Sequence, residues 1–550
     1  MEKGIPSRFI FMWCQQTMKR TWLSTTDYRI AALIAAILLL GLTSGCAEET
    51  AEEIIADRQD EDALIRLSDA EIRGLDPQKV SDLAAIRVAR DQFEGLTRFN
   101  GKGEAEPGLA KSWTVSADGK IWTFTLRDNL KFSDEQPITA QTFTSIWERL
   151  QADATASPHK ALFAPIMTIS AQGDAAVQVI LRNPYPELPA LLAHPAMAAL
   201  PMHRIAQLGD QWTGERPLVT SGAYRTAQWI LNDRLVLQAN PHWHQDAADI
   251  AEIQWRPADD ALNGMRQVLG GAADIASDYP SNRHQWLMEN HAKFVHVSDY
   301  LGTYYFAFNS RTAPFDNANI RRALSMAVDR TFLTEELIGL GNAPAHLVVP
   351  PKLWRFQNTQ SDYDNIKASH IADRRKQARR LLEDAGYNDQ EPLRFDIRIN
   401  SSREHKRVAV ALAAMWSELP VEASVLNSEA SLHFAGLRRG DFALARSGWI
   451  ADLPTPENFL AVHSPNAGPS NYSGYNNPDY DALLAKAAGL ADPMMREKAL
   501  YDAALLLAED APILPLYYYT ARNLVSPRIT GWQDNVLNIH PSSTLSFTTQ

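Results

Sequence analysis

The side chains best able to do chemistry are few, and they do not gather. His242 and His244 flank Trp243 and offer two imidazoles to a metal. No Asp, Glu or Cys clusters with them, and a zinc site needs three or four ligands, so they read as ordinary surface residues. Gly339-Leu340-Gly341-Asn342-Ala343-Pro344 carries two of the three glycines of a dinucleotide loop, without a strand, helix and acidic partner around it. It reads as a plain loop. The nucleophile elbow G-x-S-x-G, the P-loop and the zinc motif H-E-x-x-H do not occur. The two cysteines, Cys14 and Cys46, exclude a disulfide scaffold and a cysteine-rich zinc site. The case for catalysis is weak.

The elements that would position a site belong to a chain of 550 residues, too long for one hydrophobic core, so two or three domains are expected. With 45% hydrophobic and 21% charged residues it is neither a disordered chain nor a polytopic membrane protein. A formal charge of −12 argues against a broadly basic nucleic-acid surface. Arg29 precedes an apolar run from Ile30 to Leu42, which as a helix rises only about 20 Å, short of the roughly 30 Å hydrocarbon layer. Thr43, Ser44 and Gly45 then lead to Cys46. This basic start, short apolar stretch and small residues describe a secretory signal. The cysteine at its end resembles that of a bacterial lipoprotein signal, in which it is acylated and becomes the first mature residue. Between Ala47 and Asp62 eight carboxylates face only Arg58, and no residue is aromatic. Like-charge repulsion makes residues 46–63 an acidic, solvated tether.

Order is expected from Leu64-Ile65-Arg66-Leu67, a short strand. Residues 114–126 predict a hairpin, with Asp118-Gly119 as the turn and Trp122, Phe124 and Leu126 alternating onto one face. After Thr139-Ala140, Phe143, Ile146, Trp147 and Leu150 repeat at helical spacing. A further helix is expected from about 368 to 385. Strands and helices mix throughout, as in an α/β protein.

Several segments in order resemble one family. Leu75-Asp76-Pro77 precedes Phe93-Glu94-Gly95-Leu96, and Pro107-Gly108-Leu109-Ala110 leads into the hairpin. Phe132-Ser133-Asp134 follows, with Glu135 where the family usually has glycine, then Pro137-Ile138-Thr139-Ala140 and Thr155-Ala156-Ser157-Pro158. Ser221-Gly222-Ala223-Tyr224, Tyr300-Leu301-Gly302-Thr303, Asn319-Ile320-Arg321-Arg322, Gly448-Trp449-Ile450-Ala451-Asp452 and Asn477-Pro478-Asp479 complete the series. Together they resemble the solute-binding proteins of ABC importers for peptides, in the oligopeptide-binding branch.

The resemblance implies a two-lobed, periplasmic-binding-protein-like α/β fold of type II with an extra domain on the first lobe. Residues 1–45 would be the signal peptide. Residues 64–93, 218–300 and 519–550 would form lobe I, residues 94–217 the extra domain and residues 301–518 lobe II. It also implies a monomer without cofactor or catalytic activity, located in the periplasm or cell envelope and anchored to the membrane by lipid on Cys46. Its partners would be an oligopeptide and an ABC permease, with no nucleic acid. Dipeptides, a murein tripeptide or another small solute are alternative ligands on the same fold. A secreted hydrolase or a peptide-sensing receptor is an alternative of a different kind. By the same resemblance, Asp452 would receive a ligand's α-ammonium group, Arg446 its carboxylate, and Trp449 would pack beside the ligand backbone. The family's second arginine aligns with Leu437, and Arg438 or Arg439 could substitute through a shifted loop.

Overall fold

The computed structural model describes residues 62–258, 260–354, 370–490 and 492–548. The signal-like segment, Cys46 and the tether as far as residue 61 lie outside the described residues. Among those described, no helix is long and apolar enough to cross a membrane.

Strand β1 (Ala63–Ser68) is the short strand of the sequence reading, and helix α1 (Leu83–Gln92) follows, capped by the Asp82 carboxylate. The hairpin forms as β2 (Ala110–Val115) and β3 (Ile121–Leu126), with Gly119 supplying φ +69° in the turn. Helix α2 (Ala140–Gln151) buries Phe143, Ile146, Trp147 and Leu150 on one face. Strands β4 (Ile166–Gln172) and β5 (Ala176–Leu181) complete an antiparallel sheet of order β2-β3-β5-β4.

Glu135, which replaces the family's glycine, keeps the glycine-like backbone at φ +68°. A left-handed conformation costs a side-chain-bearing residue about 1–2 kcal/mol, partly offset by the entropy a glycine loses on folding. Its ion pairs to Lys131 (3.6 Å) and His242 (3.8 Å) are long and exposed. Glu135→Gly is therefore expected to stabilise the protein by about 0.5–1 kcal/mol, read as a higher denaturant midpoint at unchanged slope.

The second sheet has ten strands. They are β1, β6 (Tyr224–Ile230), β7 (Arg234–Ala239), β8 (Glu252–Pro257), β9 (Ile275–Ala276), β10 (Val295–Phe308), β11 (Leu393–Asn400), β12 (Val421–Ser428), β13 (Leu444–Ile450) and β14 (Ile513–Val525). Their order is β12-β11-β13-β10-β14-β9-β1-β8-β7-β6. Helices α3 (Ile371–Asp384), α4 (Arg403–Trp416), α5 (Ala430–Arg439), α6 (Pro456–Leu460) and α7 (Pro493–Asp510) belong to the half carrying β11, β12 and β13.

The two central strands join the halves. Residues 295–299 of β10 pair with 520–524 of β14, and residues 303–307 pair with 513–518, with the register broken between Asp299 and Thr303. Past that break β10 is buried on both faces. Tyr304, Phe306 and Phe308 enter one core with Ile397, Leu412 and Trp416, while Tyr305 and Ala307 enter another with Ala445 and Leu507. Arg522 of β14 spans both halves, with its Nε 2.8 Å from Asp278 and Nη1 3.2 Å from Glu404. A second bridge lies at Arg496 of α7, 2.7 Å from Glu457 of α6 and 3.4 Å from Glu187, which follows the four-stranded sheet.

The two histidines of the His-Trp-His segment go to different carboxylates. His244 Nε2 lies 2.6 Å from Glu94, both side chains about 6% exposed, so His244 is a buried pair member and not the surface residue expected. The Gly339–Pro344 segment is a loop in which Gly339 closes a helical turn at φ +69°.

Candidate functional site

Strand β13 and the loop after it carry the residues that the family pattern singles out. Arg446 is paired in register with Phe306, and Gly448 with Tyr304. Glycines at 302 and 448 make room for one ring. A Cβ on Gly302 would come 2.6 Å from Tyr519 Cδ2, and one on Gly448 would come 2.5 Å from Tyr519 Oη. Both are closer than real Cβ contacts, so glycine here is what lets Tyr519 lie against the sheet.

That ring helps to hold Arg446. The arginine's Nη2 donates to Tyr519 Oη at 2.8 Å, its Nη1 lies 3.5 Å from Asn400 Oδ1, and its guanidinium stands 4.9 Å from the Tyr304 ring centre. The Nε is buried without an acceptor, and among the described residues Arg446 forms no ion pair. His405 Nδ1 is 3.2 Å from Tyr304 Oη, and burial followed by the Arg446 charge pushes the imidazole down to about 2, so it stays neutral. Glu404 is taken by Arg522. Arg446 is thus a cation held by neutral groups, which leaves its charge uncompensated inside the protein.

Asp452 follows the strand. Its backbone N–H donates to Asn458 Oδ1 at 3.2 Å, and the same oxygen accepts the Trp449 indole N–H at 3.0 Å. Asn458 is positioned by Thr455, the N-cap of α6, so one short helix fixes both residues. Among the described residues the Asp452 carboxylate accepts no hydrogen bond and forms no ion pair. It keeps a solvent-facing surface, yet desolvation by the atoms crowding it pushes its pKa up, opposed by the charge of Arg90 on α1. Tyr300 of β10 also faces Arg90 and Asp452, and burial raises its hydroxyl to about 12. The next residue, Leu453, is 2% exposed and packs into the core that holds Val88, Phe124 and Trp255.

Leu437 lies on helix α5, not in a loop, and is wholly buried with Phe442 and Ala445. Arg438, on the same helix, hydrogen-bonds the Tyr472 side chain, and Arg439 Nε donates to Asp441 at 2.7 Å. The structure therefore brings Asp452 and Trp449 together through Asn458 and places Arg446 on the same strand, while Arg438 is engaged elsewhere. Asn458, Tyr519, His405, Arg90 and Tyr300 carry no motif that marks them in the sequence.

Two sheet halves joined by long crossing strands, with a charged site on the strand beside the crossover, define a two-lobed binding protein of the type II periplasmic-binding-protein class. Residues 104–471 match the bacterial extracellular solute-binding proteins, family 5, and the chain belongs to that family. Its members bind solutes and are not enzymes. The chain is similar to the periplasmic oligopeptide-binding protein OppA of Salmonella typhimurium, 32% identical over 533 residues, which are 92% of this chain and 97% of that protein. Among solved structures, the murein tripeptide binding protein MppA of Escherichia coli has a TM-score of 0.81 at 32% identity, covering 89% of this chain and 99% of that one. Haemophilus influenzae OppA in complex with RPPGFSPFR gives 0.80 at 29% identity, with the same coverage of each chain.

Proposed function

We propose that this chain captures oligopeptides outside the cytoplasmic membrane and delivers them to the permease of an ABC importer, as a monomer held at the membrane by lipid on Cys46. One observation carries the peptide reading. A carboxylate without a partner (Asp452) and an internal cation without a counter-charge (Arg446) stand on one strand and its following loop. A zwitterionic ligand neutralises both, its ammonium at Asp452 and its carboxylate toward Arg446. Trp449 would pack beside the ligand backbone. An extended peptide bonded through its main chain is tolerant of sequence, because backbone groups do not distinguish side chains. The names of the relatives, which bind oligopeptides or a murein tripeptide, support the same ligand class.

In this reading the lobes follow the boundaries given above: 64–93, 218–300 and 519–550 for the first, 94–217 for the extra domain and 301–518 for the second. Crossing strands at residues 295–308 and 513–525 serve as the hinge between them. Mass spectrometry of compounds released from the purified protein by mild unfolding tests the ligand class. A mixture of short peptides is expected; a single non-peptide compound overturns it. A lone murein tripeptide is the second reading, favoured by Leu437 standing where the family has an arginine.

Affinity should depend on pH through Asp452. Only its carboxylate attracts an ammonium, and its pKa is raised by burial. Peptide affinity is therefore expected to fall on acidification, starting above the usual carboxylate pKa of about 4. For the ligand-free protein the sign is opposite. A raised folded pKa contributes stability below the unfolded value and loses it as pH rises through the folded value. Calorimetric titrations and unfolding curves between neutral pH and about pH 4 check both directions.

A further inference from the structure

A second charged feature lies in the first half of the sheet, apart from Arg446. Arg66 of β1 and Arg87 and Arg90 of α1 line one small recess, together with Asn523, Asn538 and Trp532. Arg87 and Arg90 are three residues apart, so α1 presents both on one face. Each of the three guanidinium groups has a buried nitrogen without an acceptor: Nε of Arg66, Nη1 of Arg87 and Nε of Arg90. Arg66 is only 5% exposed. Its Nη1 donates to the His540 carbonyl at 2.9 Å and to Ser542 Oγ at 2.6 Å, and its other face lies 4.5 Å from the Trp255 ring centre.

The nearby carboxylates offset part of this charge but accept a hydrogen bond from none of the three open nitrogens. Asp91 spends its oxygens on the Ser542 N–H and hydroxyl and the Trp255 indole. Asp69 is half exposed and stands 3.7 Å from Arg87, too far for a hydrogen bond. Asp452 interacts with Arg90 but is the carboxylate assigned above to the ligand. Burial lowers both Arg66 and Arg90 to about 10, and the charge of Arg87 opposes each of them, yet both remain cationic at neutral pH. Three cations, each with an N–H left open, form a site for an anion with two oxygens.

We propose that this recess is an anion subsite of the ligand cleft, taking the side-chain carboxylate of an acidic residue at the amino-terminal end of a bound peptide. The placement follows from Arg90, which lines the recess and whose charge also acts on Asp452. The inference rests on Asp452 receiving the ligand ammonium. A peptide anchored there presents its first side chains toward α1, where Arg90 is shared between Asp452 and the recess. Asn523 and Asn538, joined at 2.9 Å, form the polar part of the recess wall, and Trp532, Ile539 and Pro541 the apolar part.

The test is calorimetric titration of the ligand-stripped full chain in detergent with Ala-Ala-Ala, Glu-Ala-Ala, Ala-Glu-Ala and Lys-Ala-Ala. At least one acidic peptide is expected to bind roughly tenfold more tightly than trialanine, about the worth of one charge-assisted hydrogen bond. In Arg87→Gln that advantage should shrink to about twofold with trialanine unchanged, and Arg87→Lys should keep most of it. Equal affinity for acidic and neutral peptides overturns the subsite and leaves the peptide reading standing. So does an acidic advantage that survives Arg87→Gln, or one that Arg87→Gln and trialanine lose together. Binding of none of the four peptides overturns both.

Discussion

Asp452→Ala is expected to weaken the binding of free-amino peptides by about 2–5 kcal/mol, a loss of tens- to thousands-fold in affinity. The size follows from what the mutation leaves behind. An ammonium buried at the cleft would lose its counter-charge and its acceptor together, while Arg90 would remain beside it to repel it. The fold should suffer little, because the Asp452 carboxylate accepts no hydrogen bond, Arg90 keeps the charge of Asp91, and the backbone bond to Asn458 survives the change. Removing a raised-pKa carboxylate is expected to leave the unliganded protein slightly more stable at neutral pH. N-acetylated peptides supply the control: wild-type protein and variant should bind them alike. Titration calorimetry with one peptide in both forms decides the matter, and equal binding of the free-amino peptide by the variant removes Asp452 from the site.

Asp274→Ala is expected to cost about 3–5 kcal/mol of stability, the largest effect of any single change considered. Asp274 accepts from Arg528 through both oxygens, at 2.7 and 2.9 Å, and one of them also accepts the Ile65 N–H at 2.8 Å. Arg528 in turn donates to the Ala63 carbonyl and lies 4.4 Å from the Phe547 ring centre. Both charged side chains are nearly inaccessible, at 7% and 2% exposure. Truncating the aspartate would take the carboxylate from a buried guanidinium and the acceptor from the Ile65 N–H of β1. The double change Asp274→Leu with Arg528→Met should recover much of the loss, since well-packed apolar groups replace a buried pair at little cost. Urea unfolding of the three variants checks this, and a single-variant loss below about 1 kcal/mol would show the pair to be solvated.

Local structure was legible where the pattern is local. The hairpin around Gly119 and the buried face of α2 follow from alternation and from three-and-four spacing alone. Helix α5 carried a signal that the motif comparison passed over: His433, Gly436 and Leu437 repeat at helical spacing, which puts Leu437 in a core and not in a loop. Asp452, Trp449 and Arg446 could be named because a family pattern surrounds them. Their supporting residues could not. Arg90 and Asp452 are separated by some 360 positions, and Tyr519 reaches Arg446 only because β14 returns beside β10. His244 was misread for a related reason. Its partner Glu94 lies 150 residues earlier, so nothing beside it in the chain foretells burial.

The closing of the ten-stranded sheet by β14 has a consequence for how the chain can be made. Strand β9 has β1 on one side and Ile275 and Ala276 matched to Val525 and Leu524 on the other. Arg66 donates through Nη1 to His540 and Ser542, more than 470 residues away, and the Ala63 carbonyl accepts from Arg528. A chain that emerges amino end first therefore holds an open strand edge and a bare arginine until nearly its last residue has appeared. Its first half can pair internally but cannot finish until the segment from about 520 to 542 is present. Loss of even the last thirty residues should leave β1 its neighbours β8 and β9, yet open the other edge of β9 and take away the groups that hold Arg66 and the Ala63 carbonyl, leaving a partly folded chain for proteases instead of a shortened protein.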